Sequence, residues 1–415
     1  MATWRRVPAQ IAAFGMVASL TVLWAPLGNS AAYLALICAG IGAALGWRNP
    51  VAHALIQQRW MQLFFVGFAL LALAFLFNRD PGDAIYIFDF LLVPLGFVFA
   101  MALATLRGRL GTIGLSWWCW FGALAAAATG CLQVFALNSG RAAGWGNSPI
   151  HFADFAVIFG FMALGATFLV EGRWKWLLLT GPVLGLLAAA MADSRGAFLV
   201  AVGLAAIYAL MQIRFSRGHV LLKLAVATGP VVVPLVAVWL ANLAGFTRPF
   251  QTTMVFADMV SGNRVADSSS AYRLEMYRGG LRAFLDAPIF GYGWHSQIAA
   301  AFPYMNDFAR IGSEAEKWGY LHNDALGFAV SGGLFALIGY LLWIIAPVVG
   351  LGSVQRDAHG LARSYLAIVL AAGLFMSGVT DVLFMSELAK VLLVGLTSAI
   401  LILCRAPHAG KPTIP

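Results

Sequence analysis

The sequence predicts an all-α, polytopic integral membrane protein of about 12 transmembrane helices, with one large loop between the ninth and tenth. Three observations lead there. Of 415 residues, 61% are hydrophobic and only 10% are charged. A soluble globular chain carries about 25% charged residues, so this one has too little polar surface to cover itself in water. The apolar residues also fall in runs long enough to cross about 30 Å of hydrocarbon, and the basic residues gather on alternate connections between those runs.

The runs lie at roughly 10–25, 31–47, 60–77, 84–106, 112–137, 151–170, 174–192, 196–213, 221–245, 324–350, 362–383 and 386–404. The first follows Trp4-Arg5-Arg6 but has no small-residue cleavage pattern after it, so it reads as a span rather than a signal peptide. With the N-terminus inside, the inside segments carry fifteen basic residues: Arg5, Arg6, Arg48, Arg59, Arg107, Arg109, Arg173, Lys175, Arg214, Arg217, Lys223, Arg356, Arg363, Arg405 and Lys411. The short outside loops carry only Arg79, Arg141 and Arg195. This bias sets both termini in the cytoplasm. Three regions follow: residues 1–245 with nine spans, an outside loop at 246–323, and residues 324–415 with three more spans and a cytoplasmic tail.

The formal net charge of +9 would point a soluble protein towards nucleic acid. Here the excess sits on the inside segments and records orientation, so no nucleic-acid partner is expected. The four cysteines, Cys38, Cys119, Cys131 and Cys404, all lie inside apolar runs and form neither a disulfide framework nor a thiolate metal motif.

The loop at 246–323 is locally neutral, with seven basic and seven acidic residues. Ser268-Ser269-Ser270 offers N-caps. After it, Leu274, Tyr277, Leu281 and Phe284 recur at helical spacing up to Asp286, and Pro288 ends the pattern. A short amphipathic helix at the membrane surface is the expected element.

Charged residues at the edge of a span are functional candidates, because they are costly to insert. On the outer side these include Arg79-Asp80, Asp83, Asp89, Arg141, His151, Asp154, Asp193, Arg195, Arg273, Arg278, Arg282, His322, Asp324, Asp381, Glu387 and Lys390. In Asp193-Ser194-Arg195-Gly196 a tight turn with a snorkelling arginine competes with an arginine held at a helix N-terminus to bind an anion. An arginine in a short outside loop runs against the charge bias and favours the second reading. His322-Asn323-Asp324 opens the tenth run, either as a polar helix start or with His322 as a general base. The outward helix N-terminus, positively polarised, favours a neutral imidazole. Arg278 and Arg282, one turn apart, form either a solvated face paired with Glu275 or, with Arg273, a phosphate clamp of bidentate guanidinium groups.

Clustered carboxylates for a metal are lacking on the outer side, as are a Walker-type phosphate loop, a paired-histidine zinc motif and a nucleophile elbow. ATP-driven transport and zinc hydrolysis are therefore disfavoured, and neither a metal nor a cofactor is expected.

Taken in order, three motifs resemble the O-antigen ligase/polymerase family of bacterial membrane proteins. They are Ser194-Arg195-Gly196, the Arg273 helix leading into Pro288-x-x-Gly291-x-Gly293, and His322-Asn323-Asp324 followed by Gly327 and Gly332-Gly333. The likeness runs from about residue 190 to 350. It implies a GT-C type glycosyltransferase of the Gram-negative inner membrane, acting on the periplasmic side, inverting and metal-independent. The donor would be an O-antigen glycan on undecaprenyl diphosphate. The acceptor would be a sugar hydroxyl of the lipid A–core oligosaccharide, both reached within membrane lipid. His322 matches the family's general base, and Arg195 and Arg273 match arginines that handle the donor diphosphate. Arg278, Arg282, Arg141 and Arg79 are the further substrate-binding candidates.

Two relatives within the group compete. A polymerase would use a second lipid-linked glycan as acceptor. A protein O-oligosaccharyltransferase usually has additional sequence after its last span, where this chain soon ends. The competing class, a secondary transporter or flippase, would spread polar residues through mid-membrane depth. In this chain they concentrate on one side.

Overall fold

The computed structural model describes residues 3–48, 54–215, 268–315, 318–354 and 356–405, with single positions between 229 and 243. The ninth predicted run, the loop up to residue 267 and the tail beyond residue 405 lie outside the described residues. Those residues form helices and turns without a β-strand, as backbone in hydrocarbon requires: a helix satisfies its own N–H and C=O groups within one segment.

The helices are α1 (Thr3–Thr21), the single turn α2 (Trp24–Leu27), α3 (Asn29–Gly46), α4 (Arg59–Phe77), α5 (Gly96–Leu103) and α6 (Thr112–Cys131). Then come α7 (Pro149–Ala163), α8 (Arg173–Leu179), α9 (Gly181–Met191) and α10 (Arg195–Phe215). After the undescribed stretch follow α11 (Ser268–Asp286), α12 (Gln297–Ala301), α13 (Asp307–Ala315), α14 (Asp324–Val349), α15 (Gly360–Thr380) and α16 (Glu387–Leu403). Eight of the described helical segments are long and apolar enough to cross a bilayer, and Val7–Thr21 and Gly96–Leu106 are shorter apolar helices. The chain is a multi-pass membrane protein.

The fourth expected span does not form as one helix. Asp80 accepts a hydrogen bond from Gly82 N (3.1 Å) and caps a 3₁₀ helix, Pro81–Phe90. Pro94, with no N–H to donate, lies in the turn that follows, and α5 begins only at Gly96. Hydropathy sees one run there because both pieces are apolar. It is blind to the proline's missing donor.

The centre of the bundle is α16, whose side chains are buried from Leu388 to Leu403, so protein surrounds it on all sides. Polar links tie the packed pairs. Trp343 of α14 donates to Phe64 O of α4 (3.1 Å), Tyr365 of α15 to Phe161 O of α7 (2.8 Å), and Lys390 of α16 to Asp89 O (2.7 Å). A hydroxyl, indole or ammonium group in an apolar bundle needs such a partner to offset its lost hydration.

The long helix α14 is broken at Gly332 (φ −134°, ψ 21°) and Gly333 (φ 61°, ψ −152°). The loop after α11 enters this break: Tyr292 N donates to Val330 O (2.9 Å), Gly293 N to Ser331 O (2.8 Å), and Leu334 N to Pro288 O (2.7 Å). The backbone groups freed by the break are thus met by the loop, the condition for irregular backbone inside a membrane bundle. A side chain at Gly333 would run into the Ile289 carbonyl, and its positive φ also suits glycine. The two glycine motifs of the sequence are therefore the two halves of one junction. Next to it, α11, α12 and the segment before α14 bury Met276, Ala283, Ile298, Ala301, Met305 and Leu321 in a small second core.

Candidate active site

At the end of the bundle where α7, α10 and α14 begin and α15 finishes, polar side chains from five helices meet. His322 precedes α14 and has a left-handed backbone (φ 51°), a conformation that non-glycine residues rarely adopt and that costs about 1–3 kcal/mol. Neighbours on both sides hold it there. Tyr277 of α11 donates its hydroxyl to His322 O (2.8 Å) and also reaches Val379 O (3.3 Å). Asn323 caps α14 by accepting from Leu326 N (2.9 Å) while its amide donates to Val379 O (3.1 Å). Burial pushes the Tyr277 hydroxyl up to about 12, so it remains a donor at physiological pH.

The ring of His322 faces Asp381, which follows α15. Nδ1 lies 2.7 Å from Asp381 Oδ1, and the edge of the Trp318 ring system packs against the imidazole at 5.2 Å. Burial by itself would raise Asp381, but the His322 hydrogen bond and the positive field of His151, His322 and Arg273 outweigh it and hold the carboxyl down at about 2. An ionised carboxylate only accepts, so the Nδ1 of a neutral His322 carries the proton. Among the described residues no side chain or backbone group takes Nε2, and its lone pair is left to act as a base.

The second carboxylate oxygen of Asp381 faces His151 at the start of α7, with Nε2 to Oδ2 at 3.8 Å, and the same Nε2 lies 3.0 Å from Val382 O. A carbonyl only accepts, so His151 is the donor and pins the backbone beside Asp381. One turn further along α7, Asp154 is fully buried, lies within electrostatic reach of Asp381 and Arg273, and has neither oxygen hydrogen-bonded among the described residues. Asp324, the first residue of α14, is also buried and accepts from Phe384 N (3.2 Å), which secures the far side of the 381–384 turn.

The arginines divide into two groups. Arg273 of α11 donates Nη1 to Thr380 O (3.3 Å), and its buried Nε is unpaired among the described residues. Arg195, the first residue of α10, donates to Ser270 Oγ (3.2 Å), one turn before Arg273 on α11. Gly196 allows this approach, since a Cβ there would stand 2.7 Å from Thr380 Oγ1. Arg195 and Arg273 thus flank the His322–Asp381 pair. Arg141 donates to Ala192 O (2.9 Å) and Asp193 O (3.2 Å) and braces the turn that presents Arg195.

The remaining three candidates lie elsewhere. Arg278 is exposed and pairs with Glu275 (2.7 Å), the solvated-face alternative, and Arg282 is exposed on the same helix. Arg79 pairs with Asp286 (3.2 Å) at the opposite end of α11. Among the described residues no group of three or more His, Cys, Asp and Glu side chains is arranged to hold a metal ion.

Asp381, His151 and Asp154 are the site residues that sequence reasoning leaves undistinguished in the long roll of outer-side charges. Asp381 lies 59 residues from His322 and His151 lies 231 from Val382, and no local spacing links such positions. Their one signal is being ionisable at the mouth of a span.

A multi-pass helical membrane protein with a carboxylate-oriented histidine and two flanking arginines at one end of its bundle is the class that fold and site define. Residues 180–341 match the sequence model of the O-antigen ligase family, a likeness that supports an O-antigen ligase/polymerase-type protein. The likeness supports activity of the ligase/polymerase type. It contains Arg195, Arg273 and His322, whereas His151, Asp154 and Asp381 come from helices outside it. No curated protein matches the chain.

Proposed function

We propose that the protein is an O-antigen ligase of the Gram-negative inner membrane. It would transfer a glycan from undecaprenyl diphosphate to a sugar hydroxyl of the lipid A–core oligosaccharide on the periplasmic side. The observation that carries the chemistry is the 2.7 Å His322–Asp381 hydrogen bond, which leaves Nε2 as the acceptor for a proton. The positive-inside bias supports an outside position for this end of the bundle.

In the reaction the acceptor oxygen attacks the anomeric carbon as the bond from that carbon to the diphosphate oxygen breaks. The bonding pair leaves with the diphosphate, and the hydroxyl proton passes to His322 Nε2. A single displacement inverts the anomeric configuration. Negative charge grows on the leaving diphosphate, and Arg195 and Arg273 stabilise it more in the transition state than in the ground state. Asp381 fixes the tautomer of His322 and stabilises the imidazolium that forms, the part a buried carboxylate plays beside other catalytic histidines. The energy resides in the sugar–diphosphate bond, so no nucleotide is required.

The test is reconstitution with purified lipid-linked glycan and lipid A–core. Glycan appearing on the core supports the ligase reading. A longer lipid-linked glycan with the core unmodified would replace it with a polymerase.

A further inference from the structure

A second polar and aromatic site lies at the same end of the bundle, away from the His322–Asp381 pair. A cleft of about 470 Å³ is lined by Arg79, Asp80, Tyr292, Ser296, Pro303 and Tyr304, among others. The cleft is open to its surroundings on one side, the form of a site that meets part of a larger ligand. Arg79 is the only cation among the described residues of the lining, and its charge is already met: Nη1 lies 3.2 Å from Asp286 Oδ2, Nη2 donates to Asp286 O (3.1 Å), and the guanidinium rests over the Tyr292 ring at 4.5 Å. The Tyr292 hydroxyl is bonded to the same carboxylate. With Asp80 adding a negative charge, the cleft offers no net positive field and does not suit a diphosphate. It presents aromatic rings beside hydroxyl, carboxylate and guanidinium groups. A hexose has this mixed character, with apolar C–H faces and hydroxyl edges.

The cleft and the base lie on neighbouring segments of the chain. Three residues after Tyr292, the half-exposed loop brings His295 against Tyr86 (4.1 Å) and within 6.3 Å of Tyr320. Asp83 holds this loop by accepting from the backbone N–H groups of Trp294 and His295. Two residues before Tyr320, Trp318 packs on His322. Ring contacts thus occur on the segments between the cleft and the proposed base, where a glycan several sugars long would pass.

We propose that this cleft is a glycan subsite that binds uncharged hexose units of a substrate several sugars away from the reacting bond. The inference rests on the glycosyl-transfer reading of the His322 site. The sugars could belong to the donor glycan or to the core oligosaccharide, and both present the same chemistry.

Saturation-transfer NMR on the full-length protein in nanodiscs tests it with three probes: donor glycan released from its lipid by mild acid, lipid-free core oligosaccharide treated with phosphatase, and inorganic pyrophosphate. At least one oligosaccharide should receive saturation from aromatic protons, and which one does so identifies the source. Pyrophosphate should not displace it. Tyr304→Ala should weaken binding about threefold to tenfold and Tyr304→Phe should restore it, the loss of one ring contact. Ala299→Trp, at an exposed position in the lining, should block the cleft without removing a polar group. The proposal falls if neither oligosaccharide binds, if binding survives both Tyr304→Ala and Ala299→Trp, or if pyrophosphate competes. Binding is read without turnover. If His322→Ala retains transfer, the base assignment fails and the subsite stands; if the base assignment holds and no oligosaccharide binds, only the subsite fails.

Discussion

His322 combines a strained backbone with a fixed ring, and two predictions belong to it. His322→Ala should lower the turnover number by roughly 100-fold or more, the scale of general-base catalysis, while the protein remains inserted and abundant. Retention of the wild-type rate by the purified variant would remove His322 from the base role. Asp381→Asn keeps the shape of the partner but can stabilise neither the tautomer nor the imidazolium, so the rate should fall at least about tenfold with little change in KM. The pH dependence follows from the depressed carboxyl. With a folded pKa of about 2 against an ordinary 3.8, Asp381 contributes stability that is fully present above the ordinary value and is lost as pH falls through the folded one. The carboxylate's own titration should appear as a loss of thermal stability in nanodiscs as pH falls from about 4 towards 2. A wild-type stability that stays flat across that interval, or a loss there that Asp381→Asn retains in full, would contradict this.

Among the elements, the junction of the 288–293 loop with the break in α14 is the most exacting. Gly333→Ala would place a methyl group against the Ile289 carbonyl at a backbone angle of φ 61° and should destabilise the protein by about 1–3 kcal/mol. The measurement is the thermal midpoint, compared with Gly140→Ala, where a Cβ meets open space. Equal midpoints would mean that the junction carries no strain. The long helices α10 and α14 were legible from hydropathy because their length and apolar content match the bilayer. The helix Ser268–Asp286 was legible from its serine start, its periodic apolar residues and Pro288. The 3₁₀ segment Pro81–Phe90 and the α14 break were not, because a local hydrogen-bond defect leaves mean hydropathy unchanged. The loop that repairs the second lies about forty residues upstream in sequence.

For the whole molecule, the prediction concerns orientation. In a cysteine-free background, Arg282→Cys should react in intact cells with a membrane-impermeant maleimide and Lys175→Cys should react only after permeabilisation. The reverse pattern would turn the molecule over and place His322 on the cytoplasmic side. In the orientation expected from the charge bias, the fifteen inside basic residues exceed Glu171 and Asp357, the acidic residues of those segments, by thirteen. In that orientation most of the basic excess belongs to the side away from the proposed chemistry. Arg195 and Arg273, proposed to meet a diphosphate, contribute little to the total.

The sequence by itself determined the solvent of this protein, its helical character and the residues of its family motifs, because the bilayer imposes length and hydropathy on each segment separately. It also placed Arg195 and His322 at the edges of spans and Arg273 on the surface helix. Only the tertiary structure decided which of the many outer-side charges act together. It joined His322 to Asp381 and His151, left Arg278 with its local partner Glu275, and turned Arg79 towards a separate cleft. Those pairings depend on which helix ends pack side by side, and a hydrogen bond between residues 59 positions apart has no signature in the local pattern of either segment.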